Sequence, residues 1–264
     1  MPGDPVFHPT SYPEVNTVLD LLLSEVQALL GEELLGMYLS GSLSLGAFEA
    51  GSSDIDFLAV TVDALSNERV RALSNMHARL ITSGLSYATR LEGFYLPQAA
   101  LRGSDPSNAS YPFSAQAHGL LMLELGSDWV IQLHLVRETA IVLWGPPPHT
   151  LLDPVLPSAL RAAVIDRVTG FWNQQLDHSE WLRTREFQAY AILTMCRALY
   201  TLACGEVVSK PRAAAWAREA LGTPWVQLID RALLWRHDNR ADDMTDMLNF
   251  VRYTIARCQE EAPA

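Results

Sequence analysis

The sequence predicts an α/β (α+β) N-terminal domain organised by a mixed sheet, followed by an all-α helical bundle. Three observations carry that expectation. Up to about residue 150, short apolar runs alternate with helical periods. A proline cluster, GPPPHTLLDPVLP (145–157), then interrupts the chain where neither a helix nor a central strand can continue. Beyond it only helical periods remain. The boundary therefore falls at about residue 150, giving domains 1–150 and 151–264, each long enough to bury a core.

The elements follow in order. EVNTVLDLLLSEVQALL (14–30) places apolar residues at helical spacing and stops at Gly31. GMYLSG (36–41), SSDIDFLAV (52–60) and TRLEGFYL (89–96) read as strands, with an amphipathic helix over 64–84 between the last two. WVIQLHLV (129–136) reads as a further strand and RETAIVLWG after it as a short helix. In the second half, helical patterns cover 158–175, 179–204, 211–221, 225–236 and 241–258.

Charge divides the same way. Residues 1–149 hold 16 acidic and 6 basic side chains, and residues 150–264 hold 14 and 13. A strongly acidic N-terminal half argues against a nucleic-acid binder, which needs a basic face, and suits Mg²⁺ or a cationic small molecule. Solubility alone would also explain it. The three cysteines, Cys196, Cys204 and Cys258, form neither a CxxC pair nor a zinc pattern, so they read as reduced core thiols of a cytoplasmic protein. No signal peptide or membrane-length apolar run is visible, so no membrane association is expected. Of 19 basic residues, 18 are arginine and one is Lys210.

The segment YLSGSLSLGAFEAGSSDIDFLAV (38–60) carries most of the chemistry. A strand ends in Gly41-Ser42, and Ser53-Asp54-Ile55-Asp56 opens the next. Strand side chains alternate faces, so Asp54 and Asp56 point the same way. Two such carboxylates repel each other unless a hard cation neutralises them, and Mg²⁺ takes one or two carboxylates plus substrate phosphates. Gly41 lets a phosphate chain approach the backbone, and Ser42 supplies a hydroxyl there. In TRLEGFYL, Glu92 is an acid in an otherwise strand-like run, sharing a face with Phe94 and Leu96.

Gly-Ser, an eleven-residue spacer and Asp-Ile-Asp between apolar runs resemble the signature of the polymerase-β-like nucleotidyltransferase superfamily. GEVVSKPRAAAWA (205–217), the preceding CRALYTLACGE and the RETAIVLWGPPPHTLLDPV stretch are similar to the streptomycin/spectinomycin adenylyltransferase family. The resemblance runs from about residue 36 to 255. It implies an antibiotic-resistance enzyme using ATP and Mg²⁺, with Asp54 and Asp56 on the metal, Ser42 and Ser53 on the nucleotide, and Glu92 as the catalytic base. It makes Arg197 and Lys210 ligands of the nucleotide phosphates and places Trp235 near the adenine.

The residues themselves support part of this. Glu186, Tyr190, Thr194, Arg197 and Thr201 form one polar stripe of a helix, which a solvated face would also explain. Lys210 precedes Pro211, just ahead of a helix start where phosphate can bind, although a solvated loop lysine fits as well. Trp235 fits an adenine stack or the bundle core equally. The sequence departs from the family where its drugs are recognised. The loop 102–119 has no tryptophan, and the stretch 171–186 is longer, with Asp177, Glu180, Trp181 and Glu186 available to a cationic sugar. Two further readings stay open: a nucleotidyltransferase acting on a different small-molecule or protein hydroxyl, and a catalytically silent nucleotide-binding module.

Overall fold

Pro13 fixes the first turn of helix α1 (Pro13–Leu30), and Gly31 closes it with a positive φ of 53°. Val15, Val18, Leu19, Leu22, Val26 and Leu30 recur on one face and are all buried. The computed structural model describes residues 8–102, 109–235 and 244–262. Among them the chain divides into two compact units. The first takes in residues up to Gly126 together with Gln132–Pro154; the second takes Ser127–Ile131 and the residues from Val155 onward.

In the first unit, α1 leads into β1 (Leu34–Leu39), a short helix α2 (Gly41–Ser44) and β2 (Ile55–Thr61). Helix α3 (Asn67–Ile81) then crosses to β3 (Leu91–Pro97), followed by α4 (Gln98–Leu101), β4 (Ser110–Ala115) and β5 (Leu120–Glu124). Helix α5 (Trp129–Thr139), whose first three residues belong to the second unit, and β6 (Ile141–Trp144) follow. The six strands lie in the order β5-β4-β3-β2-β1-β6. β2 and β3 pair in parallel; the other neighbours are antiparallel. A parallel pair needs a crossover, and α3 supplies it. Its N-terminus is capped by the Ser66 hydroxyl, which accepts from the Arg69 amide.

The mixed sheet followed by a helical region is the predicted fold class, but two assignments around residues 129–145 are reversed. Residues 129–136, expected as a strand, are the first turns of α5, and 141–144, expected within a helix, form β6 beside β1. Short apolar runs carry no period that separates the two states, and Leu135 and Val136 bury equally well from a helix. The β4–β5 hairpin was also not expected. Pro112 sits inside β4, and edge strand β5 exposes Leu121, Met122 and Leu123 in succession, so neither shows clean alternation.

One side of the sheet packs on α1 and α3 through Met37, Leu39, Phe57, Leu73, Met76 and Tyr95. His77 of α3 is buried within this layer. Its Nε2 lies 2.8 Å from the Tyr95 hydroxyl and its Nδ1 3.3 Å from the Ser114 hydroxyl. Because Ser114 Oγ donates to the Leu91 carbonyl (3.0 Å), it accepts from Nδ1–H, and Nε2 accepts from Tyr95.

The second unit is helical: α6 (Pro157–Arg167), a π-turn over Val168–Trp172, α7 (Asn173–Gln175), α8 (Arg185–Cys204), α9 (Lys210–Leu221), α10 (Trp225–Leu233) and α11 (Met244–Glu261). α8 is its centre, burying Ile192, Met195, Leu199 and Leu202 as the apolar stripe requires, and Thr201 as well. Thr201 belongs to the polar stripe; its hydroxyl donates to the Glu206 carbonyl (2.8 Å). Cys196 and Cys258 are buried, and burial pushes their thiols up to about 12 and about 11. Cys204 is exposed, so it is not the core thiol that was expected. No helix among the described residues is long and apolar enough to cross a membrane.

Burial pushes His77 down to about 4, against about 6.5 in the unfolded chain. Between those values the unfolded state binds the extra proton, so stability is complete above pH 6.5 and falls as pH drops toward 4. The total loss is about 3 kcal/mol. Denaturant titrations across this window are expected to show the slope, and His77→Gln is expected to flatten it. An unchanged slope in the variant would remove His77 as its origin.

Candidate active site

The site on the first unit is set by strand register. In the parallel pair, Asp56 of β2 lies directly opposite Glu92 of β3. Their side chains emerge on the face opposite Phe57, Gly93 and Tyr95, hence opposite α3 and its buried histidine. Gly93 is required between them: a Cβ there would run into the Phe57 backbone carbonyl. Both carboxylate-bearing residues are half-buried while their strand neighbours are largely buried.

The Gly-Ser segment arrives at the same place. Ser40 N–H donates to the Asp56 carbonyl (3.0 Å), carrying the β1–β2 ladder one step past β1. Gly41 follows with φ +62°, where an L side chain is strained. A Cβ at Gly41 would fall inside the Asp56 carboxylate, so that carboxylate closes directly over the glycine. Ser42 Oγ is buried and has no hydrogen-bond partner among the described residues. A buried orphan hydroxyl beside a bare backbone and a carboxylate is a cradle for a polar ligand.

Ser53 and Asp54 sit in the loop that enters β2. The Ser53 hydroxyl accepts from the Glu49 amide (2.9 Å), leaving its own proton to donate. Arg90, immediately before β3, grips this loop: Nη2 donates to the Gly51 carbonyl (2.6 Å) and Nη1 to that of Ser53 (3.5 Å). The Tyr87 hydroxyl accepts from the Gly51 amide (3.1 Å). Arg90 was not singled out from the sequence, because an arginine ahead of a strand carries no motif. Gln116 was missed for the same reason; its Nε2 donates to Glu92 Oε2 at 2.8 Å.

Among the described residues no group of three or more His, Cys, Asp or Glu side chains could hold a metal ion by itself. The donor set fits a different kind of site. Asp56 is a hard oxygen donor beside the Gly41 cradle and Asp54 lies two residues before it in the loop entering β2, a donor pair of the kind that suits Mg²⁺ shared with substrate phosphates.

The remaining predicted residues belong to the second unit. Lys210 is the first residue of α9, which begins one position earlier than expected, and its Nζ lies 4.7 Å from the centre of the Tyr190 ring. Tyr190, Thr194 and Arg197 succeed one another along α8 on the predicted polar stripe. Arg197 is half-buried, and Thr194 Oγ1 is buried with no hydrogen-bond partner among the described residues. Trp235 is half-buried against the helical core, and its carbonyl accepts from Arg185 Nε (3.1 Å). Asp177, Glu180 and Glu186 are exposed. Trp181 instead packs with Trp172 and Phe187 and donates to Gln175 Oε1 (2.5 Å), so its ring is part of the aromatic core.

The chain is similar to known proteins over most of its length. Residues 150–260 match the family model described as aminoglycoside adenylyltransferase, C-terminal domain. The chain is 27% identical to an aminoglycoside (3'') (9) adenylyltransferase of Shigella flexneri over 259 residues, covering 92% of this chain and 96% of that protein. A relative of the same description from Escherichia coli is 27% identical with the same coverage. The fold is similar to the crystal structure of the spectinomycin adenyltransferase AAD(9) from Enterococcus faecialis with ATP and spectinomycin. The TM-score is 0.71 at 19% identity, covering 92% of this chain and 98% of that one. With residues 150–260 matched to the family model and nearly its whole length aligned to these relatives, the chain is similar to the aminoglycoside (3'') (9) adenylyltransferases and is an aminoglycoside adenylyltransferase-like nucleotidyltransferase.

Proposed function

We propose that the protein transfers AMP from ATP to a hydroxyl of an aminoglycoside-like antibiotic, with Mg²⁺, and releases pyrophosphate. The observation that carries this reading is the pairing of Asp56 with Glu92 across β2–β3, with the Asp56 carboxylate folded over Gly41. One strand position supplies a metal carboxylate, its register partner a base, and the glycine a place for phosphate.

Each residue then has a task. Asp54 and Asp56 hold the divalent cation, which when bound spreads the charge developing on the α-phosphate and pyrophosphate oxygens. Ser42 and Ser53 donate to the nucleotide. Glu92 accepts the proton of the acceptor hydroxyl as that oxygen attacks the α-phosphorus in line and the bond to pyrophosphate breaks. No covalent enzyme intermediate is required. The family resemblance further assigns Arg197 and Lys210 to the nucleotide phosphates and Trp235 to the adenine. The excess of acidic over basic residues in 1–149 favours a cationic acceptor, and the free thiols suit a cytoplasmic setting.

The acceptor is tested by incubating the protein with MgATP and spectinomycin or streptomycin. Pyrophosphate release and a product heavier by one adenylyl group are expected. Release only with other hydroxyl compounds would move the acceptor and keep the chemistry. ATP binding without turnover on any acceptor would make the chain a binding module.

Two substitutions test the site. Glu92→Gln is expected to lower kcat about 10³-fold while ATP still binds, since a positioned base contributes about 10²–10⁴. Equal turnover would displace Glu92 as the base. Gly41→Ala meets both the strained φ and the Asp56 carboxylate, so it is expected to cost about 1–2 kcal/mol of stability from the backbone alone. It should also remove measurable transfer. A variant with wild-type kcat and melting temperature would show that the cradle does not carry the phosphates.

A further inference from the structure

We infer that Gln116 is a positioning residue for the base, holding the Glu92 carboxylate on the β4 side and away from Asp56. The inference rests on the reading of Glu92 as the proton acceptor. Across the antiparallel β3–β4 pair, Glu92 faces Ala115, the last residue of β4. The chain turns at the next residue. Gln116 opens a single turn over Gln116–His118, closed by Ala115 N–H donating to the Gly119 carbonyl (2.8 Å) and Gly119 N–H to that of Gln116 (3.2 Å).

The backbone at Gln116 has φ +52°, a region glycine enters freely and a side chain of this size rarely does. Gly119, at +76°, shows the residue such a turn ordinarily takes. The glutamine therefore brings something a glycine would not. That is its amide: Nε2 donates to Glu92 Oε2 at 2.8 Å, with both side chains half-buried. The amide must present its nitrogen, because a carbonyl oxygen there would face an oxygen that cannot donate.

The chemistry explains the choice of an amide. Glu92 has Asp56 as its register neighbour on one side and Ala115 on the other. Two adjacent carboxylates repel, and both are drawn to any cation held at Asp56. A neutral donor on the β4 side anchors one oxygen of Glu92 without neutralising it, which leaves the other oxygen for the acceptor's proton. An arginine or lysine in the same place would compete with that proton, and an acid would add to the repulsion. The tether thus separates metal carboxylate from base, although the two sit on facing positions of neighbouring strands.

Three full-length variants test this. Gln116→Gly removes the amide and relieves the backbone, so the melting temperature is expected to hold or rise while kcat falls about tenfold. The KM for ATP is expected to stay within twofold. Gln116→Asn, which tolerates the backbone but is one methylene short, should behave like glycine. Gln116→Glu, of the same shape with a like charge, should lose more than either. A merely structural role would make stability and kcat fall together, and that result, or a glycine variant with wild-type kcat, overturns the inference. Wild-type protein inactive with spectinomycin and streptomycin would count against those acceptors and not against the tether. The crystal structure of Gln116→Gly reads the tether independently of turnover: a displaced Glu92 carboxylate supports it, and an unmoved one overturns it.

Discussion

The parallel pairing of β2 with β3 is the constraint from which the rest of the first unit follows. Among the described residues it is the one parallel junction in an otherwise antiparallel sheet, and two consecutive strands paired this way demand a crossover. Helix α3 makes that crossover, and it packs with α1 over one face of the sheet. That face becomes a core whose polar content is confined to groups satisfying one another, as His77, Tyr95 and Ser114 do. On the opposite side of the same strands the carboxylates take the first position, Asp56 and Glu92, ahead of buried Leu58, Val60 and Leu96. Register does the remainder, because parallel pairing sets Asp56 against Glu92 and alternation sends both away from the core.

Close approach to backbone is the second recurring device, and it acts at two glycines for different reasons. Gly93 has no side chain because the Phe57 carbonyl occupies the place a Cβ would take, and this keeps β3 at hydrogen-bonding distance from β2. Gly41 has none because the Asp56 carboxylate occupies it, which brings a charged group and a bare peptide into contact. The first glycine serves the sheet, and the second serves the proposed phosphate cradle. Arg90 and Tyr87 add a brace to the loop before Asp54, binding carbonyls and an amide of residues 51–53 that would otherwise rely on water.

Much of this was legible in the residue string because strands encode faces by alternation. Asp54 and Asp56 two apart, a Gly-Ser at the preceding strand end and an acid inside TRLEGFYL are all local patterns, and α1, α3 and the helices of the second unit declare themselves by period. The failures have equally local causes. Residues 129–144 form two short apolar runs whose period suits either state, so α5 and β6 were exchanged. β4 carries a proline and β5 is exposed on successive residues, so the hairpin gave no alternation to read. Gln116 could not be found at all from sequence. Its role depends on which strand end lies beside Glu92, and that is decided by a pairing 23 residues away, Glu92 with Ala115.

The second unit distributes its polar groups differently, and the contrast bears on what each half can vary. Along α8 the stripe that begins exposed at Glu186 ends buried at Thr201, because α8 is the central helix of its bundle and is surrounded toward its C-terminus. Lys210 lies against the Tyr190 ring, and Arg197 is half-buried two turns from Tyr190, so both are partly held by packing. Asp177, Glu180 and Glu186 are not; they lie exposed around the short helical turns before and at the start of α8. Of the groups assigned to the nucleotide, Asp56 is held in strand register, and Arg197 and Trp235 are half-buried in the helical unit. Groups available to a cationic acceptor sit where a substitution leaves the core untouched, typically within about 0.5 kcal/mol of stability. On the proposed reading, a fold built this way can change which hydroxyl compound it accepts without disturbing the carboxylates assigned to ATP.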